Sequence, residues 1–256
     1  MSGWKPVTSG IPQGSVLGPI LFTIFINDMP EAVNSYSKLF ADDTKIYKAI
    51  ESMDDVSTIQ DDINKLMRWS RDWQLPFNVN KCKVIHFGKN NPNHTYQMDG
   101  TDLIADTSEK DVGVLFDTDF NFRTHIRNMI KKANSRIGMI KRTFSRLDIT
   151  GFKMLYKSLV RPILEYCSSI WFPLFKSDGD EIEKVQRRAT KLVTSIRDLP
   201  YPERLKILNL PTLHYRRKRA DIIQVYRILN GIDNINPDHF FSMADNETTR
   251  GHNFKL

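Results

Sequence analysis

At 256 residues the chain holds enough sequence for one large domain or two modest ones, and 40% hydrophobic with 26% charged content is ordinary for a globular protein. A formal charge of +7 and a pI of about 9.3 favour an anionic partner. Cys82 and Cys167 form no CxxC pair and the six histidines form no HExxH pair, so a zinc site is disfavoured and a reduced, intracellular setting fits; no apolar run is long enough to span a bilayer, and no signal-peptide pattern is present. The chain reaches a dense motif by Gly10 with no element before it, which reads as a truncated product.

Ser9–Pro19 is a loop rich in glycine and proline, with Pro19 at a first helical position. The helix that follows carries Ile20, Leu21, Ile24, Phe25 and Met29 at helical spacing, and Pro30 stops it. Such a loop reads either as a place where backbone approaches a phosphate or as an ordinary lead into a buried helix. It is no Walker loop, because no Gly-Lys-Ser/Thr follows.

The stretch Lys38–Tyr47 reads as strand, tight turn, strand, with Asp42 and Asp43 together at the turn. Two carboxylates raised on a hairpin tip suit hard cations that bridge phosphate oxygens, as two-ion phosphoryl transfer requires. An Asp pair alone is weak, and the chain supplies its own control. Asp54-Asp55 and Asp61-Asp62 fall on an amphipathic helix predicted over about 55–73, where solvated surface or early-helix charge is the simplest reading. That helix carries Val56, Ile59, Ile63, Leu66 and Trp73 as its stripe, with Trp69 on the margin, and a core role suits it better than a stacking platform.

After Pro76, Lys81–Gly88 reads as a strand closed by glycine. Thr95–Met98 and Thr101–Ile104 flank Asp99-Gly100, the signal of a type I′ hairpin, and Asp111–Phe116 is a further short strand. The first 120 residues are therefore α+β.

From 121 the pattern is helical. Ile126, Ile130, Ala133, Ile137, Ile140, Phe144 and Leu147 define a buried face. Between Arg123 and Arg146 stand eight basic residues (Arg123, Arg127, Lys131, Lys132, Arg136, Lys141, Arg142, Arg146) and no acidic one. That face suits a nucleic-acid backbone, with a merely solvated basic face as the alternative. Further helices are predicted around 151–166, interrupted by Pro162, around 179–197, and over 213–230 between Thr212 as N-cap and Gly231. Arg216-Arg217-Lys218-Arg219 reads equally as a nuclear address, a phosphate patch or a solvated helix face. The polar tail, residues 233–256, is expected to be poorly ordered.

The order of these features resembles the later palm motifs of reverse transcriptases, and most of all the non-LTR retrotransposon (LINE-like) branch. The features are the Gly10–Ser15 loop, Phe40-Ala41-Asp42-Asp43, Asn78–Lys81 and Val112-Gly113-Val114, followed by a helical stretch that includes Leu155–Tyr166. The resemblance implies a partial palm over 1–120, an antiparallel sheet with packed helices, and an all-α thumb-like region over 121–232. It implies an RNA-directed DNA polymerase that transfers nucleotides to a primer 3′-hydroxyl with magnesium, on an RNA template and DNA primer. Residue by residue, Asp42 and Asp43 match the metal-binding pair, with Asp42 the stronger ligand, and Phe40 stands where many relatives have tyrosine. Gln13 and Gly14 match the loop against template and nucleotide. Lys81 matches the proton donor to pyrophosphate, beside the reading of a surface lysine that opens a strand. Val112, Gly113 and Val114 match the strand that grips the primer, and Arg123, Arg127, Lys131, Lys132 and Arg136 a thumb helix that tracks the duplex backbone.

One departure from the family is large. Its third carboxylate, on a strand before the loop, bridges both ions, and residues 1–9 hold no Asp or Glu. The fingers, which contact the nucleotide from the other side, are also absent. The expectation is a chain with little or no activity alone. A segment that only binds nucleic acid and a product that never folds are the rival readings, and an intron maturase fits the helical tail less well. Cytoplasm and nucleus are the expected compartments.

Overall fold

Gly14 turns the chain with a φ of +83°, and the Ser15 hydroxyl then accepts the Gly18 N–H at 3.0 Å, starting α1 (Leu17–Phe25). Residues 14–242 are described by the computed structural model, and they fall into two compact units divided between Thr107 and Ser108. The helix begins before Pro19, which sits inside its first turn, and ends at Phe25. Its apolar face is not buried as expected. Ile20 is 53% exposed and Ile24 68%, and within the helix only Gly18 is buried. Helical spacing tells which residues share a face, not whether another element covers it.

A 3₁₀ turn at Met29–Ala32 takes Pro30 and leads to β1 (Tyr36–Phe40), paired antiparallel with β2 (Asp43–Tyr47). Side chains alternate across the pair. Leu39 and Ile46 pack inward with Ile26, Met29, Leu66 and Trp69, while Tyr36, Lys38, Phe40, Asp43, Lys45 and Tyr47 face outward.

The next helix, α2 (Met53–Asp72), supplies half of this unit's buried apolar residues: Val56, Ile63, Leu66 and Trp69. Trp69 is the core tryptophan and Trp73, 42% exposed, the marginal one, because the helix has ended before position 73. At its start the Asp55 carboxylate accepts the N–H groups of Glu51 (3.1 Å) and Ser52 (3.0 Å), which satisfies donors the helix leaves open.

The strand expected over 81–88 is short. Lys81 and Cys82 donate to Asn78 and Val79 in a 3₁₀ turn, leaving β3 (Lys83–Val84). The hairpin β4 (Gln97–Met98) and β5 (Thr101–Asp102) forms as its turn signal predicts, with Asp99 at φ +52° and Gly100 at φ +72°. The Gln60 side-chain amide brackets the Gln97 backbone, donating to its carbonyl (2.8 Å) and accepting its N–H (2.9 Å). Last in this unit, β6 (Ile104–Ala105) pairs parallel with β3.

In the second unit, β7 (Ser108–Asp111) and β8 (Val114–Asp117) make an antiparallel hairpin. The single strand expected over 111–116 is thus broken near its start, with Val112 (φ +43°) and Gly113 (φ +90°) forming the turn. The described strands therefore form four two-stranded sheets, three antiparallel and one parallel, rather than one continuous antiparallel sheet.

Beyond β8, the Asp117 carboxylate accepts the N–H groups of Asn121 (3.0 Å) and Phe122 (2.9 Å) and shapes the entry to α3 (Arg123–Thr143). The buried face of α3 is Ile126, Met129, Ala133, Ile137 and Ile140, so Phe144, 43% exposed, lies past its end. Then α4 (Ile149–Leu155) runs through a π-helical turn (Tyr156–Val160) into α5 (Arg161–Glu165), where Pro162 is accommodated because the wider turn precedes it.

The helix expected over 179–197 is α6 (Lys176–Ala189), followed by 3₁₀ turns at Thr190–Leu192 and Thr194–Ile196. Val193 between them is extended and bridges Leu147. An additional short helix, α7 (Tyr201–Leu208), closes on Asn209 at φ +48°. As predicted, Thr212 caps α8 (Leu213–Leu229), accepting the Tyr215 N–H at 3.1 Å, and Gly231 follows with φ +63°.

These elements share one core that includes Val114, Phe152, Tyr156, Leu164, Trp171, Ile182 and Leu208. Through it runs a polar chain. Tyr156 Oη donates to Gln186 Oε1 (2.5 Å), Gln186 Nε2 donates to Tyr201 Oη (3.0 Å), and Tyr201 donates to Glu183, which also takes the Leu213 N–H (2.9 Å). Burial and the neighbouring Glu183 carboxylate raise the Tyr201 phenol well above its ordinary range, so it stays a donor. Arg216, half-buried, forks onto Glu165 and Arg217 is 1% exposed, so the first two residues of the 216–219 run are engaged within the unit rather than free on a solvated face. The tail is described as far as residue 242, with a 3₁₀ turn at Pro237–His239, and residues 243–256 lie outside the described residues. Among the described residues no helix is long and apolar enough to cross a membrane.

Candidate functional site

The β1–β2 register pairs Phe40 with Asp43, so Ala41 and Asp42 alone form the turn. Ala41 holds φ +51°, a region that residues other than glycine seldom enter. The geometry lifts Asp42 onto the tip and starts β2 with Asp43, and both are exposed. Across from Asp43, Phe40 is 58% exposed, and at the far end of the same face Tyr36 and Tyr47 stack with ring centroids 5.5 Å apart. Lys38 and Lys45 stand opposite each other between these pairs, putting positive charge along the approach to the carboxylates.

Four contacts fix the hairpin from beneath. Leu39 and Ile46 join the core around Leu66 and Trp69, and the Thr44 hydroxyl donates to the Met29 sulfur (3.5 Å). The fourth was not foreseen. Asp62, read as surface charge, is fully buried, and its carboxylate accepts the N–H groups of Asn34 (3.0 Å) and Ser35 (2.7 Å) just before β1, with Lys65 Nζ at 2.8 Å. Burial pushes its carboxyl up, but Lys65 and the two N–H donors outweigh that and bring it down to about 2. Asp61 is exposed, as expected, and Asp54 and Asp55 open α2.

Of the remaining sites expected in this unit, Lys81 ends the 3₁₀ turn Val79–Lys81 with an exposed side chain. Gly14 is in the left-handed conformation that glycine permits, and Gln13 lies outside the described residues. Among the described residues, no group of three or more His, Cys, Asp or Glu side chains is arranged to hold a metal ion. Asp42 and Asp43 offer oxygen donors only, exposed and adjacent, which is a donor set for a hard ion that keeps most of its waters.

In the second unit, Val112 and Gly113 are a turn and Val114 is 3% exposed in the helical core. Tyr166 Oη donates to the Val112 carbonyl at 2.8 Å, and His125 Nδ1 accepts the Leu115 N–H at 3.1 Å. Neither residue was singled out by sequence, and a contact spanning 54 positions leaves no local signal. On α3, Arg127, Lys131, Lys132 and Arg136 are all exposed, and Lys131, Lys132 and Arg136 line a shallow depression with Asn128 and Ser135. Arg123 differs. Its Nε lies 3.4 Å from Asp178 and its guanidinium sits 5.0 Å from the Phe175 ring centre, so its charge is engaged within the unit.

Comparison with known proteins identifies the family. Residues 2–151 match the family described as "Reverse transcriptase (RNA-dependent DNA polymerase)". The chain is 27% identical over 199 residues to a probable RNA-directed DNA polymerase from transposon X-element of Drosophila melanogaster, covering 73% of this chain and 22% of that one. It is 25% identical over 210 residues to the RNA-directed DNA polymerase from mobile element jockey of the same species, covering 75% and 22%. A Pol polyprotein from the type-1 retrotransposable element R1 of Bradysia coprophila is 26% identical over 179 residues, covering 66% and 18%. The chain thus spans about a fifth of the length of these relatives. No solved structure matches it. The chain belongs to the reverse transcriptase family, in its LINE-like, non-LTR retrotransposon branch.

Proposed function

We propose that this chain is the palm-and-thumb segment of an RNA-directed DNA polymerase of a mobile element, acting on a DNA primer paired with an RNA template. The observation that carries the proposal is the pair Asp42, on a two-residue turn, and Asp43, first residue of the strand after it, in a hairpin fastened from below by Leu39, Ile46 and the buried Asp62. Asp42 and Asp43 would hold magnesium, which when bound activates the primer 3′-hydroxyl and neutralises charge on the departing phosphate. The chain's own residues do the rest. Phe40, exposed opposite Asp43, offers an apolar surface beside the carboxylates. Gln13 and Gly14 approach template and nucleotide, and Lys81 holds a proton at Nζ for the leaving pyrophosphate. The exposed Val112-Gly113 tip meets the primer end, while Val114 is buried and serves the core. Arg127, Lys131, Lys132 and Arg136 follow the duplex backbone without reading its sequence, while Arg123 serves the fold.

A second reading, a segment that binds nucleic acid without catalysis, is favoured by the exposed cations Arg127, Lys131, Lys132 and Arg136 on α3. Manganese serves as the probe ion for the metal site. Electron paramagnetic resonance titration of Mn²⁺ into the duplex-bound chain is expected to show a site that Asp42→Asn weakens tenfold or more. An Asp42→Asn chain that binds Mn²⁺ as the parent does would overturn the assignment of the pair.

A further inference from the structure

The turn at Val112-Gly113 can be compared with another of the same form in this chain. Asp99-Gly100 likewise has positive φ at both positions (+52° and +72°), uses the residues such turns ordinarily take, and leaves open space around Gly100. Val112-Gly113 puts a β-branched residue at φ +43°, where such side chains are strained, and 41% of Val112 remains exposed. Here the space is filled. A Cβ added to Gly113 would lie 3.1 Å from Cε1 of Tyr166, so the ring edge rests on the glycine backbone while its hydroxyl donates to the Val112 carbonyl.

Tyr166 is itself held. It ends α5, and its carbonyl accepts the indole N–H of Trp171 at 2.6 Å. Trp171 is fully buried, and its ring lies 5.6 Å from that of His125, whose Nδ1 takes the Leu115 N–H on the other side of the hairpin. The contacts close a circuit from Val112 through Tyr166, Trp171 and His125 back to Leu115. A turn strained at its first position persists only where its surroundings determine it, and this circuit does so while leaving the tip open to a partner.

We propose that Tyr166 is a positioning residue: through its hydroxyl, and backed by Trp171 and His125, it fixes the Val112-Gly113 tip in the one orientation that meets the end of a primer strand. This rests on the reading of residues 112–114 as the primer contact. Tyr166 needs no contact with nucleic acid for the role. It sets where the tip points.

The test uses the 256-residue chain and an RNA–DNA primer–template duplex carrying 4-thiothymidine at the primer 3′ end. Photocrosslinks are mapped by peptide mass spectrometry, and duplex affinity is measured in parallel. The parent chain is expected to crosslink at 112–114. Tyr166→Phe, which removes only the hydroxyl, is expected to lower that yield fivefold or more with duplex affinity within twofold of the parent. Gly113→Ala, which drives a methyl group against the Tyr166 ring, is expected to lower that yield as well. Full yield in Tyr166→Phe overturns the positioning role, and so does a loss of yield matched by an equal loss of affinity, since that marks general damage. No crosslink at 112–114 in the parent chain overturns the primer-contact reading itself, and the proposal with it.

Discussion

The Asp62 carboxylate accepts the Ser35 N–H at 2.7 Å, tying the middle of α2 to the residue that enters β1. A fully buried carboxylate costs free energy unless paired and hydrogen-bonded, and here two backbone donors and Lys65 Nζ supply the partners. The hairpin carrying Asp42 and Asp43 thus takes its position from a charge on a neighbouring helix. Replacing Asp62 by alanine orphans the buried Ser35 N–H, frees the part-buried Asn34 N–H and opens a gap, so Asp62→Ala should lose about 2–4 kcal/mol of stability. Urea unfolding checks this; a loss below roughly 0.5 kcal/mol, the scale of surface substitutions, would show that the contact does not hold the hairpin.

Asp62 also sets an acid dependence. Its carboxyl falls from 3.8 to about 2 on folding, so the folded state binds the proton less readily than the unfolded state. The contribution is fully present above pH 3.8 and is lost as pH falls through about 2. Chemical unfolding from pH 5 down to pH 2 should show the parent and Asp62→Asn converging at the acid end. A constant gap over that range would mean the charge is not what matters.

His125 predicts a second, milder pH effect. Burial lowers its pKa below 6.5, and its Nδ1 must be unprotonated to accept the Leu115 N–H. Folding favours the neutral ring, so this stability is complete above pH 6.5 and is lost as pH falls through the lower folded value. Hydrogen exchange at the Leu115 amide, corrected for intrinsic rate, should show less protection at pH 5 than at pH 7.5. His125→Gln should remove the difference.

The α3 cations should act additively on salt dependence. Each of Arg127→Gln, Lys131→Gln, Lys132→Gln and Arg136→Gln is expected to reduce the slope of log affinity against log salt by about 1 for an RNA–DNA duplex. Arg123→Gln should leave the slope nearly unchanged and cost stability instead, because Asp178 and Phe175 hold that side chain. An Arg123 effect on the slope equal to that of Lys131 would contradict this division.

What sequence could and could not reveal follows from the range of each interaction. Asp99-Gly100, Thr212 and Gly231 were legible because turn and cap chemistry acts within a few residues. The Asp42-Asp43 hairpin was legible for the same reason. The burial of Asp62 had a signal that was passed over: it lies three residues after Ile59 and four before Leu66, on the stripe itself. The exposed face of α1 had none, since periodicity does not reveal what covers a helix. Val112-Gly113 misled because valine argues for a strand, while Tyr166, 54 positions away, and His125, past the end of β8, hold the turn there. Arg216 and Arg217 looked like surface charge until Glu165, far along the chain, received the first and the helical core enclosed the second.

The most direct measurement is binding of a deoxynucleoside triphosphate to the duplex-bound chain, with and without magnesium, in the parent and in Asp42→Asn. The expected result is nucleotide binding that requires magnesium and is lost in Asp42→Asn, with duplex affinity unchanged. Nucleotide binding that ignores both the metal and the substitution, or none in the parent while duplex affinity persists, would contradict the polymerase reading and leave a segment that only binds nucleic acid.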